Sequence, residues 1–272
     1  MVARHDLTTD PRLRAELLTV RRGTAFFARK LGELSDAELD EPSLLPGWSR
    51  RHLIAHVGYN ARALTRLVQW ANTGVETPMY DSPEARDAEI DFGATLPARA
   101  LRHLIEHAAI SLDVEWRDSP DDAWAAVVRT AQGREVPARE TVWMRTREVW
   151  LHAIDLDNGA GFGDVPEPVL ERLLADITGT WRARGTDAGI LVAVDGAGDT
   201  AVDGSAVGDE GSAGDSGDDG YTGGDSVRGT ADGDAETVVS GTLPALVRWA
   251  SGRGDAGVRT STGAAVPAPR WL

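Results

Sequence analysis

Residues 139–157 read RETVWMRTREVWLHAIDLD. On a helical wheel the apolar side chains Val142, Trp143, Met144, Val149, Trp150, Leu151, Ile154 and Leu156 cover most of the circumference. The narrow remainder carries Thr141, Arg145, Glu148, His152 and Asp155. A helix that is apolar nearly all round belongs in a protein interior, so this polar stripe is expected to face a cavity rather than bulk water. Glu148 and His152 stand four residues apart, about 6 Å along the axis. At that spacing a carboxylate oxygen and an imidazole nitrogen can meet on one cation. The same spacing also suits a Glu–His pair that only stabilises the helix.

Periodicity extends the reading in both directions. Leu17, Val20, Thr24, Phe27, Leu31 and Leu34 step by threes and fours and predict a first helix. A second is expected from Ser49, an N-cap residue after the Pro46-Gly47 break, to about Asn72. A third spans roughly Pro97 to Trp116, with Leu101, Leu104, Ile105, Ala108 and Leu112 on one stripe. A short hairpin turning at Gln132-Gly133 leads into the fourth helix, about Ala138 to Asp157. Four helices with short connections and one long excursion predict an antiparallel bundle. Beyond the Gly/Pro-rich residues 158–166 come a helix over Pro168–Arg184, a strand over Ile190–Val194, a second strand near Thr237–Ser240 and a helix from Leu243 to about Ser251. The expected fold is therefore mainly α: a four-helix bundle over residues 1–160 and a small α/β domain over 161–272.

The wheel also separates the histidines. Leu53, Val57, Asn60, Leu64 and Val68 define the inner face of the second helix, with His56 at its edge and His52 one step further round. His56 is thus the candidate for the interior. With Glu148 and His152 it would complete two imidazoles and one carboxylate, the set of a catalytic zinc site that keeps a position open for water. Asp155, one turn from His152, is placed to orient that ligand. His103 and His107 also stand at i,i+4, but opposite the apolar stripe of their helix, which reads as a solvated face.

Composition bounds the rest. The chain has 272 residues and a formal charge of −15, and −11 of that falls between Asp195 and Glu236, where twelve acids meet a single base, Arg228. Twelve of the 30 glycines share that window, so it is expected to be a disordered insertion. It lacks the spacing of an EF-hand loop. The acidity argues against nucleic acid or an anionic membrane as partner. There is no cysteine, hence no thiolate ligand or cysteine nucleophile, and any thiol in the chemistry must come from a small molecule. With no secretory h-region and no long apolar run, a cytoplasmic protein is expected; a monomer is taken as its default state.

Three segments together, LPGWSRRHLIAHVGYNARAL at 45–64, MYDSPEARDAEI at 79–90 and RTREVWLHAIDL at 145–156, resemble the mycothiol-dependent maleylpyruvate isomerases. The order Trp48-x(7)-His56 followed by Glu148-x(3)-His152 carries the likeness. It implies a DinB-like bundle joined to a smaller C-terminal domain, with zinc or another divalent metal on His56, Glu148 and His152. It further implies Arg86 as a substrate-anchoring arginine and Arg253 as a second, with Arg248 the competitor for that place. The implied activity converts maleylpyruvate to fumarylpyruvate with mycothiol or another low-molecular-weight thiol, so the partners are a small dicarboxylate and a thiol. A thiol S-transferase on the same fold and a non-catalytic metal-binding regulator remain alternatives.

Overall fold

The computed structural model describes residues 5–187, 189–196 and 237–271. Most of the acidic Asp195–Glu236 segment lies outside these residues. The chain divides into two compact units, Met1–Val169 and Leu170–Leu272.

The first unit holds helices α1 (Pro11–Glu33), α2 (Arg50–Thr73), α3 (Pro83–Ala94), α4 (Ala98–Asp118) and α5 (Glu140–Asp155). Strands β1 (Val127–Arg129) and β2 (Glu135–Pro137) form an antiparallel hairpin before α5. Asp10 caps α1 by accepting from the backbone N–H groups of Arg12 and Leu13, and Pro11 fills the first helical position. Ser49 sits at the N-cap of α2 but does not bond the helix backbone. Its hydroxyl lies 2.8 Å from His52 Nδ1 instead.

Within the bundle α2 packs chiefly on α4, and α1 on α5. Two glycines permit these approaches. A Cβ on Gly58 would lie 2.6 Å from Leu104 Cγ, and one on Gly23 would lie 2.6 Å from Trp150 Nε1. The core fills with Leu17, Val20, Leu64, Val68, Ala108 and Leu112, inward residues that the sequence periodicity marks, together with Leu67 and Trp116.

The excursion between the second and third expected helices is not a plain connection. It contains α3, started by Ser82, whose hydroxyl accepts from Ala85 N, and by Pro83 at the first position. Only Ile90, Gly93 and Ala94 of this helix are buried, so its periodic signal is faint. Among the described residues the bundle unit thus holds α3 in addition to the four expected helices. At the far end of α5, the buried Arg50 guanidinium donates to Leu156 O at 2.6 Å and Asp157 O at 2.9 Å. It thereby satisfies carbonyls left free where the helix stops.

In the second unit α6 (Glu167–Arg184), which begins at the division, leads to β3 (Ile190–Val194), β4 (Thr237–Gly241), α7 (Leu243–Ala250) and β5 (Val258–Thr260). β3 pairs parallel with β4, and β4 antiparallel with β5. The strand β5 carries no sequence signal strong enough to foresee it. Trp181 and Trp249 meet edge to face, with ring centroids 5.6 Å apart. Among the described residues no helix is long and apolar enough to cross a membrane.

Candidate metal centre

The polar stripe of α5 meets α4 at its start and α2 further on. Nearest the start, Thr141 is fully buried and accepts from Trp116 Nε1. One turn on, the guanidinium of Arg145 donates through Nη1 to Val57 O at 2.7 Å and Asn60 Oδ1 at 2.9 Å. These bonds tie α5 to α2 beside His56. The stripe thus packs on its neighbouring helices, and Arg145 also borders a cavity.

Beyond Arg145 the stripe brings Glu148 and His152 against His56. Glu148 Oε2 lies 2.9 Å from His56 Nε2 and 3.1 Å from His152 Nε2. The two imidazoles meet edge to face, 5.0 Å between centroids. Trp48 closes the other side, its ring 5.4 Å from that of His56. His152 Nδ1 bonds the fully buried Asp155 at 2.8 Å, which leaves Nε2 for the centre.

The charges explain each group's acidity. Burial alone raises the pKa of Glu148, yet the bonds from His152 and His56 outweigh it and hold the carboxyl well below its usual range. Burial likewise lowers the His152 pKa, but Asp155 and Glu148 together lift it above the ordinary value. For His56 desolvation prevails over the pull of Glu148, and the neighbouring His152 and Arg86 add to it, so its pKa falls.

These residues fit a divalent ion. Their ligand atoms all lie within 4.8 Å of one another. Ligands about 2.0–2.2 Å from a tetrahedral ion stand about 3.4 Å apart, so the observed contacts need open only by a few tenths of an ångström. Two imidazoles and one carboxylate are the donor set of open zinc sites. Among the described residues no other His/Asp/Glu group gathers three such ligand atoms. His103 instead lies half-exposed on α4 beside Glu106, 6.0 Å from the His107 ring.

Arg86, on α3, reaches this centre. Its Nη2 lies 3.4 Å from His56 Nδ1, while Nη1 donates to Asp87 at 2.8 Å. Tyr80 stands close enough to feel the charges of Arg86 and Glu148, and burial pushes its phenol up to about 12. Sequence reasoning did not single out Tyr80, which nothing in the periodicity marks; it placed Arg145 on the inward stripe but not its bonds to Val57 O and Asn60. Arg253 belongs to the second unit, just after α7, where Nη1 donates to Ser251 O at 2.9 Å. Arg248, on α7, donates to Ala256 O.

Bundle, triad and orienting acid together define a class, and comparison with known proteins gives it a family. The family model described as the mycothiol maleylpyruvate isomerase N-terminal domain matches residues 20–157. A crystal structure of a mycothiol-dependent maleylpyruvate isomerase is 47% identical, covers 95% of this chain and 97% of its own, and superposes with a TM-score of 0.80. A histidine-to-alanine mutant of such an enzyme matches at 46% identity with the same coverage and TM-score. The chain belongs to the mycothiol maleylpyruvate isomerase family. No curated protein matches it.

Proposed function

We propose that the chain catalyses the cis–trans isomerisation of maleylpyruvate to fumarylpyruvate, with mycothiol as the thiol and zinc as the metal. The observation that supports this most is the convergence of His56, Glu148 and His152, in a chain 47% identical over 95% of its length to a mycothiol-dependent maleylpyruvate isomerase. The reaction is addition of the thiol sulfur across the cis double bond, rotation about the resulting single bond, and expulsion of the same thiol. The electron pair that enters with the sulfur rests on the adjacent carbonyl system and returns when the trans bond forms.

A bound ion with an open position supplies a Lewis acid that keeps a thiol deprotonated at neutral pH. His56, Glu148 and His152 would hold it, and Asp155 fixes the ring of His152 through Nδ1. The guanidinium of Arg86 beside His56 anchors a substrate carboxylate, because its planar fork matches two carboxylate oxygens. Tyr80, a neutral phenol that burial moves still further from ionisation, stands near enough to Arg86 and Glu148 to offer a hydrogen-bond donor. The absence of cysteine agrees with a nucleophile carried by the thiol.

The test is to measure bound metal in the purified protein and to follow maleylpyruvate with mycothiol and with other thiols. Loss of maleylpyruvate with the thiol recovered unchanged is the expected result. Thiol consumed in proportion to substrate would make the protein an S-transferase instead. Metal without thiol-dependent turnover would leave only a metal-binding module.

A further inference from the structure

Away from the triad, α1 and α4 leave a cleft of about 650 Å³ between them. The cause lies in the facing residues. Ala25, Ala28 and Gly32 present no bulk on one face of α1, and Ala109 stands opposite between Ile105 and Leu112 on α4. Each helix satisfies its main packing elsewhere, α1 on α5 and α4 on α2. The volume lies within the range of small-molecule sites, about 300–1,000 Å³.

Small residues alone make only space; Arg145 gives the space a chemistry. This α5 residue lines the same cleft and is 1% exposed. Its Nη1 is committed to Val57 O and Asn60 Oδ1, whereas its buried Nη2 has no partner. Both groups paired with Nη1 are neutral, and among the described residues no carboxylate forms an ion pair with it. Burial lowers its pKa to about 10, so the group is still a cation at neutral pH. The Glu148 carboxylate acts on it only at a distance and is itself bound by His56 and His152, so an anion bound beside the guanidinium would relieve the cost of burying its charge. Arg21 and Arg102, nearer the surface of the cleft, do not compete for that anion. Arg21 is spent on Asp6 and Asp113, and Arg102 on the carbonyls of Leu31 and Leu34.

We propose that the α1–α4 cleft is a second ligand site, for a small amphiphilic monocarboxylate whose head pairs with Arg145 and whose aliphatic or aryl body lies between the two helices. None of the three triad residues lines this cleft, and the proposal does not depend on the isomerase reading.

Calorimetric titration of the full-length protein with decanoate, decanol and decylamine, with and without added zinc, tests it. Decanoate should bind one to one, at least tenfold more tightly than either control, and equally with and without zinc. Arg145→Gln should remove the preference for the carboxylate. Because Arg145 also ties α5 to α2, Ala28→Phe provides an independent arm: it fills the cleft without touching the guanidinium and should abolish binding. No binding, equal affinity for decanoate and decanol, or unchanged binding by Ala28→Phe would each overturn the proposal. Binding only in the presence of zinc would do the same, by placing the carboxylate at the metal centre.

Discussion

Replacing Asp155 probes how the metal centre is held. Its carboxylate is fully buried and 2.8 Å from His152 Nδ1. A hydrogen bond to a charged partner contributes about 1.5–3 kcal/mol net, a neutral one about 0.5–1.5. Asp155→Asn keeps an acceptor in place and removes the charge, a loss of about 1 kcal/mol or roughly fivefold in metal affinity. Asp155→Ala removes the acceptor altogether and frees the ring to turn. That loss is about 2 kcal/mol, within the roughly 10–100-fold range for partners that orient metal-bound histidines. Competition for zinc against a chromophoric chelator measures both, with thermal melts of the metal-free proteins to separate folding from binding. The order wild type, Asn, Ala in falling affinity is expected. If all three bind zinc equally, Asp155 does not set the orientation of His152 and the account of the centre fails.

Other perturbations test the scaffold. Gly58→Ala places a Cβ 2.6 Å from Leu104 Cγ; overpacking costs about 1–3 kcal/mol against about 1 kcal/mol gained in helix propensity. The melting temperature should fall, and a rise would show that α2 and α4 part easily. Arg50→Met strips the bonds to Leu156 O and Asp157 O and should cost about 3 kcal/mol in urea unfolding; a loss under about 0.5 kcal/mol would refute the capping role. The Arg21 bond holds the Asp6 carboxyl below its ordinary value of 3.8. Its contribution to stability is therefore complete above that pH and disappears as pH falls through the lower folded value. Asp6→Asn should flatten the acid limb of the stability curve below about pH 4, and an unchanged limb would count against the pair.

What the sequence disclosed followed burial. α5 was legible because apolar side chains surround all but one stripe, and α1, α2 and α4 because each buries one continuous face. The wheel put His56 nearer the interior than His52, and the structure has the first buried and the second half-buried. α3 escaped because it buries three residues, too few for a period, and only the Ser82-Pro83 start marks it. β5 is three residues long, shorter than any alternation can reveal. Arg145 stood within the legible stripe, yet no pattern tells whether a guanidinium turns to solvent or to a carbonyl across a helix interface. Arg86 entered through family resemblance alone, since its proximity to His56 depends on how α3 folds back on α2.

The spacing of the triad along the chain carries a consequence for how the protein comes to be folded. Glu148 and His152 are one helical turn apart, but His56 lies 92 residues before Glu148. Of these three ligands an unfolded chain keeps only Glu148 and His152 close together, and the third arrives only when α2 docks on α5. An ion that favours the native chain in this way stabilises it by mass action, by about 2.7 kcal/mol at a free concentration one hundred times its dissociation constant. Metal supply in the medium would then set how much of the protein is folded as well as how much is loaded, and chelation would lower its thermal resistance.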